Sequence, residues 1–218
     1  MFIGHYGVGL VLKKKAPDIP LWLLFASVQF VDILAFVLVI LGIEGIQYQP
    51  HANPFLRTNI EYLPYSHSLF TNILWAAIVF FIFWKWKNRS WGFILALGVI
   101  SHWLLDFLVH TPDLPLFFNQ YKVGLGLWVF PRTSFIIEVF LVLGGAFFLY
   151  RASHWSLRAF ALVGLILFSY YQMLFTPEPA FIRTNMPLRA LIVLVSYLVF
   201  ITLAFWSERG KKYLTENG

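Results

Sequence analysis

The sequence predicts an all-α polytopic membrane protein: six transmembrane helices preceded by a short N-terminal helix of half the spanning length. Three observations predict it. Of the 218 residues, 60% are hydrophobic and only 12% charged, whereas a soluble domain is nearer half apolar and about a quarter charged. Mostly apolar stretches of about 20 residues, the length that crosses the hydrocarbon core, recur along the chain. The Lys and Arg residues also segregate between alternate connections, eleven against five, as the positive-inside rule requires.

Residues 2–12 are apolar but too few to span, so they read as a short or re-entrant helix, joined to the first span through Lys13, Lys14, Lys15, Ala16, Pro17 and Asp18. Spans are expected over 20–43, 67–84, 91–109, 133–150, 157–175 and 188–206. Residues 1–218 form one transmembrane domain without internal repeats or low-complexity tracts. The connections 44–66 and 111–132 are too long for tight turns, and both fall on the same face. Lys13, Lys14, Lys15, Lys85, Lys87, Arg89, Arg151, Arg158, Arg209, Lys211 and Lys212 lie on the other face; Arg57, Lys122, Arg132, Arg183 and Arg189 accompany the long connections. The more basic face is therefore expected in the cytoplasm, with the C-terminus, and the long connections outside. No cleavable signal peptide is expected, because the first positive charges follow the apolar run instead of preceding it.

The net charge of +6 is that of basic cytoplasmic loops, and nucleic acid is not an expected partner. The chain has no cysteine, so disulfides and thiolate ligands are excluded. Any transition-metal site must use His, Asp and Glu.

Such residues do occur inside the spans, where a polar group is costly and marks a functional site or an interhelical hydrogen bond. Asp32 stands in an apolar run. His102 and Asp106 are four residues apart, hence on one helix face, with His110 one turn further. Glu138 lies within the fourth span, His67 opens the second, and His5 is in the short first helix. At 1.5 Å per residue from the basic face, His5 lies at roughly 14 Å, Asp32 and His102 at roughly 18 Å, Glu138 at roughly 20 Å, Asp106 at roughly 24 Å and His67 at roughly 27 Å. Residues from five helices thus share one slab in the outer half of the bilayer. Carboxylates converging there without Lys or Arg repel one another, share protons, or hold a divalent cation. Imidazole and carboxylate ligands suit zinc first, then manganese or iron. The metal set read from the sequence is therefore His5, Asp32, His67, His102, Asp106 and Glu138. His51 reads as a solvated loop residue, and His154 as a residue of the basic face, away from the others.

At these positions the chain resembles a family of bacterial inner-membrane proteins described as metal-dependent hydrolases. The resemblance rests on Gly4-His5, on Asp32, on Ser66-His67-Ser68, and on Ser101-His102-Trp103-Leu104-Leu105-Asp106 followed by the Pro-rich Thr111-Pro112-Asp113-Leu114-Pro115-Leu116. It covers about the first 120 residues, leaving the helices over 133–207 outside it. The chain departs from the family at Val31-Asp32-Ile33, where many members carry Asp-x-Asp-His-Pro, and at Tyr62-Leu63-Pro64-Tyr65, where many carry His-Arg-Gly. The family is similar in ligand pattern to zinc-dependent phospholipase C and related single-strand nucleases, which implies phosphoester hydrolysis.

The leading expectation is a metal-dependent membrane hydrolase acting on a lipid-linked or membrane-proximal ester. His110 or Asp113 would act as general acid or base, or orient the substrate. The loop 116–128 would serve as an interfacial aromatic belt or admit an acyl chain laterally. Two other classes remain open: a transporter of ions or small solutes using the same buried carboxylates, and a non-catalytic membrane protein with a structural metal. Against transport stands the absence of repeat symmetry and of paired broken helices.

Overall fold

The computed structural model describes residues 1–51, 53–151, 157–177, 179–183 and 185–209; His154 and the tail residues Lys211 and Lys212 lie outside the described residues. Its helices are α1 (Gly4–Lys15), α2 (Leu21–Val28), α3 (Phe30–Ile40), α4 (Leu69–Trp86), α5 (Arg89–Val109), α6 (Pro131–Tyr150), α7 (Leu157–Phe175), α8 (Ala180–Arg183) and α9 (Met186–Glu208). Five of them, α4, α5, α6, α7 and α9, are long and apolar enough to cross a membrane. The pair α2–α3 makes a sixth span if it is counted as one, and it is bent by 58°. Their outward faces are apolar, with Ile82 of α4 53% exposed, Phe140 of α6 71% and Phe168 of α7 58%. Apolar surface of that extent needs lipid against it. The fold is that of an α-helical membrane protein.

Two local features depart from the sequence reading. The first span is not continuous: Gln29, fully buried, leaves the helical conformation (φ −102°, ψ 3°) between α2 and α3. A sharp kink needs an inserted group or a lost ladder bond, and here the ring of His102 binds the Val28 carbonyl at the break. The long connections also contain strands. One holds the antiparallel hairpin β1 (Gly45–Tyr48) and β2 (Thr58–Tyr62), with Tyr48 opposite Thr58. The other holds β3 (Leu114–Phe117) and β4 (Gln120–Val123), with Leu114 opposite Val123. The hairpins close one end of the bundle, burying Ile60 and Leu114 in a cluster with Val39, Leu63, Trp103 and Ala190.

Helix α1 is not a span. Its 12 residues cover roughly 18 Å, and it lies against α6 at Gly7 and Gly145. A Cβ on Gly7 would strike the Leu141 carbonyl, and one on Gly145 the Gly7 carbonyl. Small residues permit this backbone approach where lipid gives helices no hydrophobic drive to associate.

The opposite end of the bundle gathers the basic residues. Lys13, though 8% exposed, lies in the last turn of α1 there. Its Nζ donates to the Pro17 and Ile19 carbonyls (2.8 Å each) and pairs with Glu208 Oε1 of α9 at 2.7 Å. Glu208 Oε2 in turn accepts the Leu21 N–H at the start of α2 (2.6 Å). Lys13→Met is therefore expected to leave two carbonyls and a carboxylate without their cation, lowering unfolding stability by about 2 kcal/mol, as for a lost charged hydrogen bond. Thermal unfolding in detergent, read with Lys13→Arg beside it, checks this. A Lys13→Met protein as stable as the parent would show that water replaces the ammonium.

Candidate metal centre

Toward the hairpin end, five of the six proposed ligands converge from four segments: His5 on α1, Asp32 on α3, His67 in the turn before α4, and His102 with Asp106 on α5. His5, His102 and Asp106 are fully or almost fully buried, and His67 is 5% exposed. His102 Nε2 lies 3.1 Å from Asp106 Oδ2 and 3.4 Å from Asp32 Oδ1. His67 Nε2 lies 3.3 Å from the same Asp32 oxygen and 3.7 Å from Asp106 Oδ2. His5 Nε2 is 3.3 Å from Asp106 Oδ1. Two ligands about 2.0–2.1 Å from a tetrahedral zinc stand roughly 3.4 Å apart, so each of these pairs is spaced as neighbours around one ion. Ligand atoms of His5, His102 and Asp106, and of Asp32, His67 and His102, each gather tightly enough to hold one, with His102 common to both groups.

Local structure explains each position. The α2–α3 break starts a new helix two residues before Asp32, so its carboxylate sits in a first helical turn, where the backbone dipole favours negative charge. Tyr197 of α9 donates to its Oδ2 at 2.9 Å. His67 was expected at the opening of a span; it lies instead in the turn just before α4, whose N-cap position is Ser68. That turn is held by Asn72 Nδ2, which donates to the Ser66 and Ser68 carbonyls (2.6 and 3.0 Å), and by Trp103 Nε1, which donates to the His67 carbonyl (2.9 Å).

The hydrogen bonds also set which ring nitrogen faces inward. His102 Nδ1 is 2.7 Å from the Val28 carbonyl; a carbonyl only accepts, so Nδ1 carries the proton. His67 Nδ1 is 2.9 Å from Ser66 Oγ, whose hydroxyl is 2.6 Å from Glu44 Oε2. An ionised carboxylate only accepts, so Ser66 donates to Glu44 and receives the Nδ1–H of His67. Glu44, buried, is fixed by the Tyr65 and Ser66 N–H groups on Oε1 (2.8 and 2.9 Å). With both rings neutral, Nε2 would point a lone pair at carboxylate oxygens. That arrangement is repulsive unless a cation or an added proton lies between them. The rings of His5 and His102 stack parallel with centroids 3.8 Å apart, and two imidazolium rings so placed would repel. Among the described residues no Lys or Arg side chain pairs with Asp32 or Asp106; the cation against Asp106 Oδ1 is the α-amino group of Met1. The donor set therefore fits a divalent metal, with outer-shell partners that orient its imidazoles.

The sequence reading did not single out Glu44, Asn72 or Tyr197. Glu44 is legible only through its partner: a Ser-His dipeptide needs an acceptor for the hydroxyl, and nothing in the chain order says which carboxylate supplies it. Glu44→Gln is expected to break the relay by offering Ser66 an amide that can turn its donor inward, loosening metal affinity about tenfold, as loss of an outer-shell partner does. A competition titration against a zinc chelator measures this, and affinity equal to the parent would remove Glu44 from the site.

The remaining proposed residues lie apart from both ligand groups. Glu138, fully buried on α6, turns Oε2 to the N–H groups of Phe2 (2.8 Å), Ile3 (2.7 Å) and Gly4 (3.2 Å), at the start of the helix carrying His5. His110 caps the C-terminus of α5; its Nδ1 meets Asp113 Oδ1 at 3.1 Å, and its ring lies 4.3 Å from that of Trp128. Asp113 Oδ2 accepts the Ile60 N–H at 3.4 Å, which ties the two hairpins together. His51 is exposed, as expected of a loop residue, and its Nδ1 accepts from the Asn53 N–H. The chain matches no known family model, no curated protein and no solved structure.

Proposed function

We propose that this is a metal-dependent hydrolase of the bacterial inner membrane, acting on an ester of a lipid or lipid-linked substrate, with a phosphoester favoured. One observation carries the reading: the Nε2 atoms of two oriented imidazoles face two carboxylates that, among the described residues, have no Lys or Arg partner. The resemblance in motif order points to the same chemistry. Asp32, His67, His102 and Asp106 hold the ion, with His5 beside Asp106. A divalent ion supplies a Lewis acid for the ester oxygen and hydroxide near neutral pH. Zinc suits the donor set first, manganese or iron next.

The chain's own groups do the rest. Glu44, Ser66 and the Val28 carbonyl keep His67 and His102 in the ligating tautomer. His110, one turn beyond Asp106 and paired with Asp113, is the group placed to move a proton to or from the substrate.

Metal titration of the purified chain together with a phosphoester and lipid hydrolysis screen tests this. Turnover that follows zinc content supports the hydrolase. Stoichiometric metal without turnover would leave a structural ion, and flux across proteoliposomes would indicate a transporter.

The same reading places the basic end in the cytoplasm and the hairpins outside. Gln120→Cys, in the exposed start of β4, is expected to react with an impermeant maleimide on intact cells, whereas Lys87→Cys reacts only after lysis; the chain's lack of cysteine makes the background silent. The reverse pattern would invert the topology.

A further inference from the structure

Between the two hairpin connections lies a cavity of about 270 Å³, lined by Gln49, Thr58, Asn59, Thr111, Asp113 and Trp128 among others. It adjoins the metal centre through α5. Asp113 binds His110, and the His110 N–H bonds the carbonyl of Asp106 at 2.8 Å. His110 stands one helical turn, roughly 6 Å of rise, beyond the proposed ligand Asp106, and Asp113, which lines the cavity, follows it by three residues.

Its chemistry is selective. Among the described residues no Lys or Arg lines it. Arg57 turns its Nε to the His51 carbonyl (3.1 Å), and Lys122 of β4 senses the charge of Asp113 but is not part of the wall. The lining holds one carboxylate, two amides, two threonine hydroxyls and the imidazole of His51, whose Nδ1 accepts the Asn53 N–H. The carboxylate uses Oδ1 for His110 and only a long contact on Oδ2, so it has acceptor capacity to spare. A lone carboxylate with no Lys or Arg in the wall repels phosphate but accepts from hydroxyls. The amides, the threonines and the imidazole offer both hydrogen-bonding senses to an uncharged group.

We propose that this cavity binds an uncharged polyhydroxyl group, a sugar or a glycerol, as the head of the substrate. The proposal deepens the hydrolase reading and rests on it for the word substrate. The metal centre takes the ester, and the cavity reads the neutral part attached to it. The wall comes from two connections that Asp113 bridges at the Ile60 N–H, so their relative position sets the fit.

The test uses the full chain in phosphatidylcholine nanodiscs doped with either monoglucosyl diacylglycerol or phosphatidic acid. A chelator is present so that the metal contributes nothing, and retained lipid is counted by native mass spectrometry. The expected result is at least a fivefold enrichment of the glucosyl lipid over phosphatidic acid, lost in Gln49→Ala/Asn59→Ala while zinc stoichiometry of that variant stays at the parent value. Displacement by excess methyl glucoside would identify a soluble sugar as an occupant, and retention against it a lipid headgroup; both are the proposed chemistry. Phosphatidic acid retained as well as the glucosyl lipid, or enrichment unchanged in the variant, would overturn the proposal. Glucosyl enrichment without any zinc-dependent hydrolysis would sink the hydrolase reading and leave the cavity standing. Zinc-dependent hydrolysis without enrichment would do the reverse.

Discussion

Asp106→Asn and His102→Ala are each expected to reduce bound zinc to background, the largest effect of any single change in this chain. Asp106 faces His5 through one oxygen and His67 and His102 through the other. Its replacement by the isosteric amide keeps the volume but removes the charge and one ligating oxygen. In the parent, metal binding adds to stability by mass action, about 4 kcal/mol at a thousandfold excess over Kd. The parent should therefore unfold at a higher temperature than Asp106→Asn in zinc, and the gap should close on chelation. The sign separates the two accounts of the cluster. A proton-sharing network would not respond to chelator. A metal site responds to it and also weakens as pH falls, because its ligands must be deprotonated to bind. His51→Ala, in the exposed loop, should change neither zinc content nor stability. Equal zinc in Asp106→Asn and the parent, or a stability gap that survives chelation, would refute the site.

Glu138 should matter almost as much, by a different route. Its Oε2 accepts three successive backbone N–H groups at the start of α1, groups that a helix leaves without internal partners and where a carboxylate is favoured by the helix dipole. Glu138→Ala would leave these buried donors orphaned and is expected to cost roughly 3 kcal/mol or more of stability, since hydrogen bonds to a charged group contribute about 1.5–3 kcal/mol each. Glu138→Gln retains an acceptor oxygen and should lose less. Both should weaken zinc binding about tenfold, because α1 carries His5 to Asp106. A double-mutant cycle with His5→Ala decides between this indirect role and direct ligation. If Glu138 acts by holding α1, its effect on zinc affinity vanishes once His5 is gone. An effect of undiminished size in the His5→Ala background would make Glu138 a ligand in its own right.

The sequence by itself determined the membrane class and most of the spans, because about 20 apolar residues in a row have few other ways to be stable in a cell. The same physics exposed the polar residues: Asp32, His102 and Asp106 stand out in the chain because their surroundings are so apolar. Helical spacing then put His102 and Asp106 on one face, and depth counting set His5 and His67, at roughly 14 and 27 Å from the basic face, on either side of them. Depth is only one coordinate, however. Glu138 shares the level of Asp32 yet lies beside the start of α1, since rotation about each helix axis and the packing of helices in the membrane plane are set by side-chain contacts such as Gly7 against Gly145. The break at Gln29 was hidden for a related reason. Residues 20–43 are apolar enough to span, and nothing local in that stretch demands a kink of 58°; it is the ring of His102, 74 positions along the chain, that takes the freed carbonyl of Val28. Glu44 was likewise unreadable as an outer-shell partner of His67, because a hydrogen bond bridging 22 positions leaves no periodicity behind. What the sequence determined follows from transfer of side chains out of water, which each residue reports by itself. What only the tertiary structure decided are the directional bonds between distant residues, and it is these that turn a layer of polar groups into a site.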